Sequence, residues 1–213
     1  MRTPDSWNAA RGTLAIAALT VAAWAIATAL GWDDFIVLWA GFIPARLSGA
    51  SVDVALAPLW LTPLTATLAH AGIAHLLMNM LMLLFCGRPV ETILGMRGLI
   101  ILYIVGAYSA AIAHYLVNAD EIAPMVGASG SISAVLGAYA MLFGRNRVKV
   151  SDSRLALLLN ALWLAVAWVV LQLLIGLTFE TAGARIAVAA HVGGFLTGLL
   201  LAKPLLILRY RGA

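Results

Sequence analysis

Six long apolar runs dominate the chain, at about residues 13–30, 70–85, 99–117, 129–143, 155–177 and 187–208, and short stretches between them hold most of the charge. A span of the hydrocarbon core needs roughly 20 predominantly apolar residues. Inside lipid every backbone N–H and C=O must be paired within the protein, which favours helices. The runs therefore predict an all-α membrane protein: a bundle of six transmembrane helices forming one domain over residues 1–213. Composition agrees, with 63% hydrophobic residues, 10% charged residues and a mean hydropathy of +1.01. A pI near 9.6 would suit nucleic acid in a soluble chain, but in a membrane protein basic residues gather in cytoplasmic loops, so no nucleic-acid partner is expected. Only Met1 to Gly12 precedes the first run, and no appended soluble domain is expected. Arg2, Arg11 and Ala27-Thr28-Ala29 imitate a signal peptide, yet the apolar stretch exceeds the ~7–15 residues of such a segment and reads as a retained helix. Cys86 has no disulfide partner, and no Cys/His cluster has metal-ligand spacing. It reads as a small apolar filler at a helix end.

Charge sets a direction. With the N-terminus in the cytoplasm, the inside segments hold Arg2, Arg11, Arg88, Arg97, Arg145, Arg147, Lys149, Arg154, Lys203, Arg209 and Arg211. Of the 13 basic residues only Arg46 and Arg185 then fall outside. Both termini are expected inside, as an even number of spans requires. The second, fourth and sixth spans all run from outside to inside. Their outer ends carry His75 and Asn79, Ser129, and His191, at one common depth. The first outer loop, about residues 31–69, is long and poor in charge. Its Trp32, Phe35, Trp39, Phe42 and Trp60 suit the lipid interface, and part of it is expected to lie in the outer leaflet.

Three motifs carry chemistry. Gly127-Ala128-Ser129-Gly130 places a serine where a helix begins, and free N–H groups there can stabilise an oxyanion. Taken alone, such a motif is more often a packing contact or a helix cap. His191, in Ala190-His191-Val192-Gly193-Gly194, shares a helix face with Gly194 and Gly198. The fourth span has its own small face at Gly130, Ala134 and Gly137, and small faces let membrane helices approach closely. Packed together, the two would bring His191 within hydrogen-bond reach of Ser129 as a nucleophile–base pair. Asp120, Glu121 and Glu180 are outer-loop residues and none is placed to orient His191, so a dyad is expected. His75 and Asn79 share a face (i, i+4) and offer N–H donors to a developing oxyanion; an interhelical hydrogen bond is the plain alternative. His70 is a candidate for lining the same cavity, and His114 reads as an interfacial residue.

These motifs resemble the rhomboid family of intramembrane serine proteases, and the resemblance covers about residues 60–200. It implies Ser129 as nucleophile, His191 as base, and His75, Asn79 and the Ser129 backbone N–H as oxyanion donors. It gives Glu91 a structural role at the cytoplasmic end of the second span. Two departures stand out. Trp60 is followed by Leu61 where rhomboids often carry arginine, and Ser133 stands where many members stack an aromatic ring on the histidine. The resemblance implies a bacterial inner-membrane endopeptidase that cleaves transmembrane-segment substrates entering from the lipid bilayer, with no cofactor or metal. A non-catalytic rhomboid-like binder of membrane clients is the alternative; such a chain should lack the nucleophile or the base, and both are present. A transporter would need ionisable groups near mid-membrane, which this chain lacks.

Overall fold

The computed structural model describes residues 10–51, 55–144, 152–181 and 186–211. Arg2, Arg145, Arg147, Lys149 and Arg185 lie outside the described residues, as do the side chains of Arg154 and Glu180. Seven helices follow in order among the described residues: α1 Arg11–Ala29, α2 Asp33–Ala40, α3 Thr62–Thr65, α4 Ile73–Val117, α5 Ser129–Phe143, α6 Ser153–Thr181 and α7 Val188–Tyr210. Four are long and apolar enough to cross a membrane: α1, α4, the Leu155–Leu174 stretch of α6, and α7. α5 is apolar but has 15 residues, about 22 Å of rise.

The 45 residues of α4 would make a straight rod of about 68 Å, more than twice the ~30 Å hydrocarbon core. Gly95 breaks it, at φ 75° and ψ 168°, a backbone conformation that costs glycine little. The two arms, 73–94 and 96–117, lie side by side. Cys86, Val90 and Leu94 cluster with Leu99 and Leu102 around Val135 and Ala138. Farther from the break, Leu76, Met80 and Leu83 cluster with Tyr103, Ala128 and Ile132. Hydropathy alone ends the second span near residue 85 and places 86–98 between spans. Helix instead continues to the break, through Pro89, and Cys86 is a buried residue within the first arm rather than at a helix end.

Contacts between glycine faces fix the directions. A side chain at Gly194 would strike the Gly130 carbonyl, and one at Gly198 the Ala134 carbonyl, so α5 and α7 run parallel. One at Gly106 would meet Ala134 and Ser131, and one at Gly130 would meet Ala110, so the second arm of α4 runs antiparallel to α5. The first arm of α4 runs with α5, since residues 76 and 80 cluster with 128 and 132 while 86–94 cluster with 135–138. Three helices thus start at one end of the bundle. α1 starts and α7 finishes at the other.

That other end is tied by Glu91. The first N–H groups of a helix have no intrahelical acceptor. Glu91 Oε1 accepts the Gly12 N–H, and Oε2 accepts the Thr13 N–H and hydroxyl, each at 2.7 Å. The break at Gly95 leaves nearby carbonyls without helical partners, and Arg209 Nη1 donates to the Glu91 carbonyl at 3.2 Å. The segment between α1 and α4, read from sequence as one loop, contains α2, α3 and a 3₁₀ turn at Pro44–Arg46 among the described residues.

Candidate active site

Ser129 is the first residue of α5, His191 lies in the first turn of α7, and His75 lies in the first turn of α4. Because these three helices run the same way, their starts meet at one end of the bundle. Gly130 sits beside Ala110, so the serine lies about 10 Å short of the helix end at Val117. Ser129 Oγ is 2.7 Å from His191 Nε2. Contact this close needs small residues at the crossing. At Gly194 even a methyl group would overlap the Gly130 backbone.

The turn before Ser129 is held from both sides. Gly127 has φ 108°, and a Cβ there would come within 2.5 Å of His75 Cε1. The His75 ring therefore lies directly against the turn that carries the serine. The Gly127 N–H donates to the Ala66 carbonyl at 2.9 Å. Phe42 and Met125 exchange backbone hydrogen bonds at 3.0 and 2.8 Å, and the Ala45 N–H donates to the Glu121 carbonyl. The segment between α1 and α4 is thus bonded to the strand-like stretch that leads into the serine. Arg46 Nη1 closes that segment on itself through the Ala57 carbonyl at 3.1 Å.

The first helical bond of α5 runs from the Ile132 N–H to the Ala128 carbonyl. The N–H groups of Ser129, Gly130 and Ser131 precede it and have no intrahelical acceptor. Asn79 is buried, and its Nδ2 donates to the His75 carbonyl at 2.9 Å. A primary amide has two N–H groups, so one remains. His70 is also buried, edge-on to His75 with ring centroids 5.0 Å apart, and among the described residues neither ring nitrogen meets a partner. His114, expected at the interface, is buried instead. Its Nε2 lies 3.2 Å from Glu121 Oε2, and its Nδ1 lies 3.2 Å from Asn118 Nδ2.

One contact escaped the sequence reading. Gln172 Oε1 in α6 lies 3.0 Å from His191 Nδ1, and Trp168 Nε1 donates to the His191 carbonyl at 3.3 Å. The Trp168 ring stacks on Phe195 at 4.8 Å. A glutamine within a run of valines and leucines was the available signal, since polar side chains in such runs tend to mark function. Chemically, the end of the bundle joins a hydroxyl, an imidazole positioned to accept its proton, and N–H donors from a helix start. Among the described residues no three His, Cys, Asp or Glu side chains gather to hold a metal ion.

Comparison with known proteins gives a consistent picture. A sequence model described as "Rhomboid domain" matches residues 58–208. The chain is 30% identical over 192 residues to "Rhomboid protease GlpG" of Serratia proteamaculans (strain 568), covering 89% of this chain and 61% of that protein. It is 28% identical over 190 residues to the protein of that name from Pectobacterium atrosepticum, again covering 89% and 61%. "RHOMBOID-like protein 4" of Arabidopsis thaliana is 33% identical over 143 residues, which are 67% of this chain and 33% of that protein. The chain spans about three fifths of the length of these bacterial relatives and a third of the plant one.

Proposed function

The chain belongs to the rhomboid family, and from that premise we propose that it is an intramembrane serine endopeptidase that cleaves transmembrane-segment substrates with a Ser129–His191 dyad. The observation that carries the reading is the 2.7 Å contact between Ser129 Oγ and His191 Nε2. His191 takes the Ser129 proton as Oγ attacks the scissile carbonyl. The negative charge that develops on the carbonyl oxygen is met by the Ser129 backbone N–H, with His75 and the remaining Asn79 N–H beside it. The imidazolium then protonates the leaving amine, and water resolves the acyl-enzyme. Gly127, Gly130, Gly194 and Gly198 serve this chemistry by letting His75, α5 and α7 approach. Glu91 serves it at a distance by tying α1 to α4. His70 supports His75 rather than reacting.

The surroundings follow from the same reading. The six apolar runs are six spans, with both arms of α4 and the short α5 counted singly. The termini are cytoplasmic, the membrane is the inner membrane of a bacterium, and the segment with α2 and α3 rests at the outer interface. Substrates are membrane proteins whose helices unwind and enter from the bilayer. The test is cleavage of a transmembrane substrate by the purified chain in proteoliposomes. Ser129→Ala and His191→Ala should each lower cleavage by about ten-thousandfold to a millionfold. Equal processing by the variants and the parent chain would instead mark a non-catalytic binder.

A further inference from the structure

α6 reaches His191 with two polar side chains from one face. Trp168 and Gln172 are one helical turn apart (i, i+4). Trp168 binds the His191 backbone and stacks on Phe195, which lies one turn beyond His191 in α7. Gln172, 4% exposed, reaches past the backbone to the ring at Nδ1. An amide needed only to hold two helices together could bond a backbone carbonyl. This one meets the imidazole on the nitrogen opposite the serine.

A neutral imidazole carries one N–H, on either nitrogen. To accept the Ser129 proton, Nε2 must be bare and the hydrogen must sit on Nδ1. A buried Nδ1–H needs an acceptor. We propose that Gln172 is the positioning residue of the dyad: its Oε1 accepts the His191 Nδ1–H, fixes that tautomer and leaves the Nε2 lone pair aimed at Ser129. The proposal rests on the hydrolase reading above. The opposite amide orientation would present N–H to Nδ1, drive the hydrogen to Nε2, and leave the ring unable to take the serine proton.

The choice of an amide over a carboxylate has a physical logic. A carboxylate here would be an ionised group among lipid-facing helices, and an uncompensated buried charge is costly. The amide selects the tautomer and the ring orientation without adding a charge. It continues to accept the Nδ1–H when His191 becomes imidazolium, while the new Nε2–H passes to the leaving amine. No bond to Gln172 is made or broken.

The test is ¹⁵N NMR of ring-labelled histidine in the full chain in lipid nanodiscs, with cleavage kinetics on the same samples. The chain has four histidines, and a His191→Ala control assigns the signal. The parent chain should show a protonated Nδ1 and a bare Nε2 at His191. Gln172→Met, apolar and of similar length, should redistribute the ring hydrogen between the two nitrogens. It should also lower kcat about tenfold or more while KM stays within about twofold. Trp168→Phe keeps the Nδ1 acceptor and should keep the Nδ1–H tautomer. If Gln172→Met does not fold, Gln172→Leu replaces it, and loss of the acceptor should likewise redistribute the ring hydrogen. A parent chain with Nε2–H, or a Gln172→Met or Gln172→Leu variant with unchanged tautomer and kcat, would each overturn the proposal. An inactive parent chain would count against the hydrolase reading, while the ring shifts would still decide the role of Gln172.

Discussion

Gly127 stands at φ 108° with the His75 ring where a side chain would go. Gly127→Ala therefore strains the backbone and displaces His75 together. It should destabilise the chain by about 1–3 kcal/mol and, because the serine turn moves, lower kcat/KM about a hundredfold. Thermal melts and cleavage assays measure the two effects. Glu91 is the corresponding residue at the far end. Glu91→Leu leaves the Gly12 and Thr13 N–H groups without their acceptor. It should cost about 1–3 kcal/mol for each unsatisfied group, with Glu91→Gln milder. A melting temperature unchanged in Glu91→Leu would contradict the account of that end. The meeting of Ser129 with His191, and of His75 with the turn before the serine, was legible from residue type, glycine spacing and the common direction of three spans. Gln172 stands out as a polar residue in an apolar run, but its contact with His191 depends on how α6 is rotated against α7, and no local pattern encodes that rotation.

Among the elements, α5 and α7 carry the most exacting contact. A side chain at Gly198 would strike the Ala134 carbonyl, which belongs to a helix backbone and cannot turn aside. Gly198→Leu should push the two helices apart and separate Ser129 from His191. Cleavage should be lost even where circular dichroism shows helix content retained. The mirrored small faces at Gly130, Ala134, Gly194 and Gly198 made this pair readable from a period of about four residues. The reversal of α4 was harder to see. Pro89, Arg88, Glu91 and Arg97 made residues 86–98 look like a loop, yet Glu91 is absorbed by the start of α1 and Arg209 by the turn. Those partners lie far away in sequence, so nothing local marks the segment as helix. The short helices α2 and α3 escaped for a related reason. They are short, eight and four residues, and are tied to each other by the Thr65 hydroxyl on the Ala40 carbonyl, while the Ala66 carbonyl after α3 accepts the Gly127 N–H before Ser129.

For the whole molecule, the parallel run of α5, α7 and the first arm of α4 collects the candidate site at one end and the Glu91 network at the other. The distribution of basic residues predicts which end faces the cytoplasm. A cysteine replacing Asp34, exposed in the first turn of α2, should react with a membrane-impermeant maleimide added to intact cells. One replacing Arg97, near the Gly95 turn, should react only after the inner face is opened. The native Cys86 is buried and should contribute little background. Reversed labelling would invert the topology and leave the bundle itself unchanged. The central claim is narrower: a single serine hydroxyl, activated by a histidine from another helix, is a nucleophile. Reaction of the purified chain with a fluorophosphonate, followed by peptide mass spectrometry, tests it most directly. The account predicts one adduct, on Ser129, absent in Ser129→Ala and strongly reduced in His191→Ala. An unmodified Ser129 in folded protein, or equal labelling after His191→Ala, would contradict it.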